Sequence, residues 1–308
     1  MLYRWILVAW RGDKFLTERY GRVETLTLYK ANILIRSLYV TSARGRLTKD
    51  GIRIYEPGDF AGMAEAGRIA ATILDDIIPQ IFMGQTTTEI DRIITEMVTD
   101  HGAKSATIGY KGYQHASCIS VNHVVCHGIP GEKKINDGDI LNIDVTVIVD
   151  GWFGDTSRMY VAGKLPRKSE RLIEVTHAAL FKGIEAVKPG NTFGDIGHAI
   201  QSFVEGHRMS VVKDFCGHGL GQVFHAPPNV LHYGRAGTGP VLEEGMLFTI
   251  EPMVNLGRSE TKVLADDWTA VTRDKSLSAQ FEHSVGVTAT GVEIFTLSPR
   301  NLFHPTYG

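Results

Sequence analysis

The sequence is poor in cysteine. Only three of its 308 residues are cysteine (Cys118, Cys126 and Cys216), and none belongs to a CxxC pair. So small and odd a number, without paired spacing, argues against a disulfide framework and against a structural zinc site. We therefore expect a protein of a reducing compartment, with the cytoplasm as the predicted location.

Long apolar runs and a strong net charge are also lacking. The apolar run from Trp5 to Trp10 is too short to span a membrane. A secretory signal would need a longer run and a small-residue cleavage site. The net charge of −2 gives no general reason for nucleic-acid binding. We expect neither membrane insertion nor a specific nucleic-acid partner.

Residues 1–47 differ from the rest of the chain. They hold nine Lys or Arg and only three acidic residues, with no clear helical or strand period. We predict a poorly ordered basic extension here. It could be a disordered arm, an organellar transit peptide, or upstream sequence translated from a misjudged start. In the second case the protein would be organellar. The catalytic domain is predicted to occupy residues 48–308.

A helical pattern occurs twice in that domain. After the turn at 57–59, apolar residues recur at helical spacing as far as Pro79, and a capping-box pattern from Thr86 to Glu89 opens a second helix that ends near Gly102. In the second half, a helix through Leu172 and Leu180 is predicted to end at 189–190, and Asn191-Thr192 cap the next one. The repeated plan indicates an internal duplication.

Strands are predicted between and after these helices. The candidate strands are Ile140–Val149, Ser157–Val161, Met246–Met253 and Phe281–Thr288. Helix pairs beside mostly antiparallel strands indicate an α+β fold.

Five residues that bind hard metal ions occur between positions 144 and 282, each in an apolar, strand-like or Gly-rich setting. They are Asp144, Asp155, His218, Glu251 and Glu282. Buried carboxylates have to be paired, protonated or metal-bound, because an unpaired buried charge is very unfavourable. If the five converge, they form a metal site.

The stretch 140–157 gives a geometric reason for two of them to meet. Asp150-Gly151 is a strong two-residue hairpin signal. In that register Thr146 lies opposite Asp155, and Asp144 shares the face of Thr146. The alternative is that Asp155 caps a turn and Asp144 is a strand-end acid.

The other candidates also have simpler alternatives. His218 lies in GHGLG, seven residues before His225, and could be a core histidine. Glu251 in FTIEP and Glu282 in SAQFEHS could be strand-end carboxylates paired with Arg or Lys. His127, beside the turn 128–130, could be a turn residue.

The donor types predict the metal and the chemistry. An oxygen-rich set favours Mn, Fe or Co over a cysteine-bound structural zinc. Five ligands suit two ions that share carboxylates and activate a water. The sequence therefore predicts hydrolysis of a peptide or phosphate bond.

The contexts of these residues resemble type I methionine aminopeptidases over roughly Thr48 to Thr288. The matching segments are NIDVTV (142–147), GDTS (154–157), GHGLGQVFHAPPNVLHY (217–233), FTIEPMVN (248–255), SAQFEHS (278–284), GYKGY (109–113) and SCISVNHVVCHGIPG (117–131). The resemblance implies the pita-bread fold, with pseudo-twofold duplicated halves. It also implies removal of the initiator methionine when the second residue is small and uncharged.

The resemblance assigns roles to residues. All five donors would hold two divalent ions (Co, Mn, Fe or Zn), with Asp144 and Glu282 bridging them and Glu251 also moving protons. His225 would hydrogen-bond the scissile peptide, and His127 would steady the substrate and the tetrahedral intermediate. The methionine pocket would be formed by Tyr110, Tyr113, Cys118, Phe224 and Trp268. A monovalent cation would bind the backbone at Asn122, Val124 and Ser278.

Three departures from the family pattern occur. Gln114-His115 replace the Pro-Lys of many bacterial members, and Thr107 stands where some members have Cys. Residues 1–47 do not resemble the Cys-rich extension of eukaryotic type I enzymes, so docking on ribosomes through zinc fingers is not expected. The implied partners are nascent-chain N-termini with transient ribosome contact, and the chain is expected to act as a monomer.

Three rival functions share part of this pattern. Xaa-Pro peptidases have the same fold and ligands, but usually carry a much longer N-terminal domain. A non-catalytic binding module of the same fold would lose ligands, and all five are present here. A phosphoesterase would need a phosphate-binding Gly-rich loop or Arg cluster, which is not seen near the site.

Overall fold

The structure is a computed structural model. It describes the backbone of residues 9–11, 14–19, 22–27 and 44–306, and the side chains of residues 44–306. The chain forms two compact units, Met1–Arg44 and Gly45–Gly308. The division lies close to the domain boundary predicted between residues 47 and 48. The other residues of 1–43 lie outside the described residues, and so does the prediction that this extension is poorly ordered.

In the first unit, the described residues form a small antiparallel sheet. Its strands, in the order β1-β2-β3, are Ala9–Arg11 (β1), Lys14–Arg19 (β2) and Arg22–Thr27 (β3).

Among its described residues, the second unit combines four α-helices with short and long strands. The helices are Phe60–Asp76 (α1), Thr87–Asp100 (α2), Arg167–Glu185 (α3) and Phe193–Gly206 (α4). The strands of the first half are Arg46–Leu47 (β4), Arg53–Ile54 (β5), Lys104–Ser105 (β6), Ser117–Val121 (β7), Val124–Cys126 (β8), Ile140–Val149 (β9) and Trp152–Val161 (β10). The strands of the second half are Ser210–Val211 (β11), Gly217–Gly219 (β12), Ala226–Val230 (β13), Leu247–Ile250 (β14), Met253–Asn255 (β15), Thr261–Val263 (β16), Ala270–Thr272 (β17), Ser278–Gln280 (β18), His283–Val287 (β19) and Val292–Ile294 (β20).

Each half packs its helices on its own sheet. In the first half β9 pairs with β10, β7 and β6, and α1 packs on β9 and β10. In the second half β13, β12, β14, β19 and β20 form a five-stranded antiparallel sheet beside α3 and α4. The two largest clusters of buried apolar residues follow this division in most of their members, and Ile140 and Met159 of the first-half strands join the cluster of the second half. The predicted α+β class and its duplicated plan are confirmed.

Local sequence signals explain the helix starts. The Thr86 hydroxyl accepts a 3.2 Å hydrogen bond from the Glu89 N–H, and the Glu89 carboxylate accepts one of 2.7 Å from the Thr86 N–H. This reciprocal capping box fixes the start of α2 as predicted. Thr192 and Asp195 form the same arrangement at α4.

Some predicted boundaries were wrong. Helix α3 ends at Glu185 rather than at 189–190, because the following residues form a turn in which the Asn191 amide donates to the Ala186 carbonyl over 2.8 Å. The single strand predicted for Met246–Met253 is two strands, β14 and β15, separated by Glu251-Pro252. Proline has no N–H for a strand ladder, so the break falls there.

Two further strands differ in extent. The segment predicted as Phe281–Thr288 forms the shorter strand β19, with Phe281 and Glu282 between β18 and β19. The strand predicted for Ser157–Val161 is the second half of the longer β10.

Candidate metal centre and substrate cavity

The hairpin between β9 and β10 has the predicted register. Asp150 and Gly151 form the turn with φ of 48° and 84°. Thr146 lies opposite Asp155, and Ser157 lies opposite Asp144. The two aspartates therefore share one face of the sheet.

Asp155 is fixed through side chain and backbone. The Thr146 hydroxyl donates a 2.7 Å hydrogen bond to Asp155 Oδ1. The Ser284 hydroxyl donates to the Asp155 carbonyl over 2.6 Å and accepts from its N–H over 3.3 Å. These contacts join the hairpin to β19, which belongs to the other half of the domain.

Glu282 lies where the two halves meet. Its N–H donates to the Ser157 carbonyl over 3.1 Å, and its own carbonyl accepts a 2.7 Å hydrogen bond from the Thr156 hydroxyl. The side chain is buried. A glutamate held at the junction reaches the hairpin aspartates from the second half.

His218 presents one ring nitrogen to the carboxylates. Its Nδ1 lies 3.2 Å from the Gly219 carbonyl oxygen, which can only accept, so we assign the proton to Nδ1. Its Nε2 lies 3.5 Å from Asp155 Oδ2 and 3.7 Å from Glu251 Oε1. Such an orientation, with one nitrogen held by a carbonyl and the other free to coordinate, is typical of a metal-binding histidine.

Glu251 lies at the break after β14 and is held on three sides. The Thr249 hydroxyl donates to its Oε1 over 2.8 Å, and the Gln280 amide donates to its Oε2 over 3.3 Å. Its N–H donates to His232 Nε2 over 3.1 Å. Thr249 also accepts a 3.0 Å hydrogen bond from the His218 N–H, so one hydroxyl orients two candidate ligands.

Burial makes the ionised carboxylates unfavourable without a cation. Burial and the charges of Asp155 and Glu251 raise the pKa of Asp144 well above its usual range. Burial and the same two charges, among others, also raise the pKa of Glu282. Burial raises the pKa of Glu251 to about 7, although His218 and the Thr249 hydroxyl oppose the shift. Burial lowers the pKa of His218, but the hydrogen bond to Asp155 and the charges of Glu251 and Asp155 raise it overall.

The donor set fits divalent metal. One ligand atom each from Asp155, His218 and Glu282 lie within 4.8 Å of one another. Within residues 44–306, no Lys or Arg forms an ion pair with the four carboxylates. A buried group of four acids with one imidazole lacks compensating charge, and hard divalent ions prefer such oxygen-rich donors.

All five donors line one cavity of about 300 Å³. The same cavity is lined by both predicted catalytic histidines and by the predicted methionine-pocket residues. These are His127, His225, Tyr110, Tyr113, Cys118, Phe224 and Trp268. Residues far apart in the sequence are therefore brought together beside the donors.

The two histidines are neutral at physiological pH. Burial lowers the pKa of His127 to about 4 and that of His225 to about 2, and the charge of His218 acts in the same direction on both. The His225 ring stacks on Tyr110 with centroids 5.1 Å apart. The His127 ring meets Trp268 edge-on at 6.1 Å. Both can act as neutral hydrogen-bonding groups.

Aromatic rings form one wall of the cavity. Tyr113 meets Trp268 edge-on with centroids 4.9 Å apart, and Tyr110 lies 4.8 Å from Phe224. Cys118 is buried on β7, opposite Asp144 in the pairing with β9. Polarizable rings and a thiol suit a thioether side chain.

The residues predicted to hold a monovalent cation lie outside this cavity. The Ser278 N–H donates a 2.9 Å hydrogen bond to the Asn122 carbonyl, and Asn122 has a φ of 58°. Val124 begins β8 nearby in the chain. The cation site stays a prediction.

Several residues around the donors were not predicted. His232, Gln280 and Thr249 hold Glu251, and Ser284 holds Asp155. The sequence offered one sign of such supporting residues, a polar residue inside an apolar strand, as with Thr249 in LFTI. It could not show which metal donor that residue contacts, because this depends on the pairing of distant strands.

Comparisons with known proteins identify the family of the chain. The model of "Metallopeptidase family M24" matches residues 61–289. A methionine aminopeptidase of Rickettsia prowazekii is 54% identical over 257 residues, which are 83% of this chain and 99% of the relative. One from Escherichia coli K12 is 50% identical over 248 residues, 80% of this chain and 94% of the relative. The chain therefore belongs to metallopeptidase family M24.

Solved structures narrow the assignment within that family. A crystal structure of the Rickettsia prowazekii methionine aminopeptidase superposes with a TM-score of 0.79, covering 80% of this chain and 100% of that one. A Pyrococcus horikoshii prolidase is 20% identical with a TM-score of 0.63, which shows a shared fold alone. The predicted pita-bread fold is confirmed. The chain is a metal-dependent aminopeptidase similar to the methionine aminopeptidases.

The helices of the described residues include none that is long and apolar enough to cross a membrane.

Proposed function

We propose that the chain removes the initiator methionine from nascent proteins whose second residue is small and uncharged. The observation that carries the proposal is the shared cavity. Five metal donors, two neutral histidines and an aromatic, thiol-containing wall line one space of about 300 Å³. That volume lies at the lower end of small-molecule sites, which suits one side chain and its peptide bond.

Asp144, Asp155, His218, Glu251 and Glu282 would hold two divalent ions. When bound, these ions would polarise the scissile carbonyl and lower the pKa of a water. The contacts of Thr146, Thr249 and the Gly219 carbonyl support the roles of three donors, because each orients a donor atom towards the cavity. The metal identity in the cell is proposed to be Co, Mn, Fe or Zn.

The protein groups perform the remaining steps. The oxygen of the attacking water bonds to the methionine carbonyl carbon, and the carbon–nitrogen bond of the first peptide breaks. Glu251 takes up the water's proton and passes it to the leaving amino group. His225 hydrogen-bonds the scissile peptide. His127 steadies the oxygen that becomes negative in the tetrahedral intermediate.

The aromatic wall would select methionine. Tyr110, Tyr113, Cys118, Phe224 and Trp268 would surround the thioether, where polarizable groups gain contact energy. Packing of Tyr113 on Trp268 supports a fixed wall.

The biological setting is also proposed. The partners are nascent-chain N-termini, with transient ribosome contact, and the chain acts as a monomer in the cytoplasm. An organellar location follows instead if residues 1–47 are a transit peptide. A monovalent cation held by the backbone of Asn122, Val124 and Ser278 would stabilise the junction of β8 and β18.

A peptide panel tests the substrate. Metal-loaded enzyme should release methionine from Met-Ala-Ser and Met-Gly peptides and act poorly on Met-Lys peptides. Enzyme that cuts Xaa-Pro peptides but leaves Met-Gly intact would contradict the proposal. Metal-loaded, folded protein with no peptidase activity would indicate a non-catalytic binding module.

A further inference from the structure

The tyrosines of the cavity wall lie on one short segment between β6 and β7. Tyr110 and Tyr113 belong to residues 106–116, which turn back on themselves through a 2.7 Å hydrogen bond from the Gly109 N–H to the Tyr113 carbonyl. The segment contains a 3₁₀ turn at Tyr110–Gly112 and no longer helix or strand. The Ala106 N–H donates a 3.0 Å hydrogen bond to the Thr146 carbonyl of β9, and side-chain contacts hold the rest of the segment.

Thr107 links the two ends of the segment by a hydrogen bond. Its hydroxyl donates a 2.7 Å hydrogen bond to the His115 carbonyl, which can only accept. The Ser105 hydroxyl lies 3.0 Å from Thr107 Oγ1 and therefore donates to it, and Ser105 accepts from the Ile108 N–H over 3.3 Å. The result is a directional chain of hydrogen bonds that ends on His115.

His115 fastens the segment to helix α2. Its Nδ1 lies 3.0 Å from Asp91 Oδ2. The other oxygen of Asp91 accepts from the N–H of Ser117 at 2.9 Å and from its hydroxyl at 2.8 Å. Asp91 is buried on α2, which lies outside the cavity. Its carboxylate therefore holds both His115 and Ser117 to that helix.

His115 and Ser117 also contact Tyr113. The His115 ring meets the Tyr113 ring edge-on at 5.8 Å, and the Tyr113 hydroxyl donates to the Ser117 carbonyl over 2.9 Å. Tyr113 in turn packs on Trp268 across the cavity wall. A shift of His115 would therefore move a side chain that lines the cavity.

We propose that Thr107 and His115 are a linked pair of positioning residues that set the methionine selectivity of this chain. The inference rests on the proposed function, since it concerns the wall of the same cavity. The Thr107 hydroxyl bonds the backbone carbonyl of His115, and the His115 ring contacts Asp91 and Tyr113. Thr107 lines the cavity, whereas His115 lies behind Tyr113. A thiol at position 107 would be a weaker donor, and a lysine at 115 would offer Tyr113 no ring.

Steady-state kinetics on Met-Ala-Ser and Leu-Ala-Ser peptides test the pair. Thr107→Val removes the donor at nearly constant shape, and His115→Leu removes the contact with Asp91. Each should raise KM for the methionine peptide roughly three- to tenfold, the effect of one lost hydrogen bond, with kcat within about twofold. The preference for methionine over leucine should fall by a similar factor. Thr107→Ser and His115→Asn keep a donor and should restore KM.

The pair should behave as one unit. In the double variant the effects on KM should be less than multiplicative, because breaking either contact already releases the segment. Arg92→Ala, on the exposed side of α2 next to Asp91, is the matched control and should leave both KM values unchanged. Thr107→Cys, the residue of some family members, serves as a second variant if Thr107→Val yields little folded protein.

Two outcomes would overturn the inference. One is an unchanged KM and peptide preference in variants of an active wild-type enzyme. The other is a fall in kcat equal to the rise in KM without rescue by Ser or Asn, which is what general loss of structure would give. A wild-type enzyme inactive on methionine peptides would instead contradict the proposed function.

Discussion

Thr146 and Asp155 face each other across the β9–β10 hairpin, and the Thr146 hydroxyl donates a 2.7 Å hydrogen bond to Asp155 Oδ1. The second carboxylate oxygen, Oδ2, is the one nearest His218 Nε2, at 3.5 Å. The threonine therefore occupies one oxygen and leaves the other to face the candidate metal centre.

Replacing Thr146 with Val should weaken metal binding without removing a ligand. Loss of a hydrogen bond to a metal ligand typically lowers affinity about 10- to 100-fold. Calorimetric titration of metal-free protein with Mn or Co measures the change, and excess metal should restore activity. Thr146→Ser keeps the hydroxyl and is the control. A variant that binds metal as tightly as the wild type would show that Thr146 does not orient Asp155.

His127 and His225 should contribute to catalysis without contributing to metal affinity. Changing either to Ala should lower kcat on Met-Ala-Ser about 100- to 1,000-fold, because His127 steadies the developing negative oxygen and His225 hydrogen-bonds the scissile peptide. Because burial lowers the pKa of His127 to about 4 and that of His225 to about 2, both rings stay neutral from pH 6 to 8. The loss should therefore be the same across that range. Full activity in either variant would remove that residue from the mechanism.

Metal-free protein should become less stable as the pH rises. Burial and neighbouring charges raise the pKa values of Asp144 and Glu282 in the folded state. Groups with raised pKa values make their full contribution to folding stability below their ordinary pKa near 4. That contribution is lost as the pH rises through the raised values, because the buried carboxyls then have to ionise. Melting curves with chelator between pH 5 and 8 should show a falling Tm.

Metal should reverse that loss, because it binds the ionised carboxylates. At one fixed metal concentration, about 100 times the Kd at pH 8, the rise in Tm should be about 5–10 °C at pH 8 and smaller at pH 5, where protons compete for the carboxylates. The double variant Asp144→Asn/Glu282→Gln should show a flatter Tm profile without metal. A metal-free wild type whose Tm rises steadily from pH 5 to 8 would contradict the electrostatic account.

Removing residues 1–47 should leave activity within about twofold of the full chain. Within the described residues, the cavity is lined only by positions between 107 and 282. The deletion also removes β4, which pairs with β5, and the exposed ion pair of Arg46 with Glu243. An exposed pair contributes at most about 1 kcal/mol, so stability should fall only slightly. Deletion of residues 1–44 alone is the control, and a large loss of activity there would make the basic segment part of the enzyme.

The sequence predicted those features that depend on neighbouring residues. Asp150-Gly151 determined the hairpin register, because both residues adopt the positive φ that this turn requires. The capping box at Thr86 determined where α2 begins. The candidate role of Glu251 also followed from sequence, although the break in the strand at Pro252 did not.

Contacts between distant segments were not predictable in the same way. The Glu251 N–H meets His232, and the His115 ring meets Asp91, across 19 and 24 residues of chain. No local period brings these pairs together, because each depends on how the sheets and helices pack. Family resemblance supplied the positions of the cavity residues, and the fold shows which neighbours hold them.

The most direct test is a metal titration of the chelator-treated enzyme, followed by binding and by hydrolysis of Met-Ala-Ser together. The account predicts two divalent ions per wild-type chain, activity that appears only as metal binds, and loss of at least one ion with nearly all activity in His218→Ala. Full activity in metal-free wild type, or in the His218→Ala variant, would contradict it.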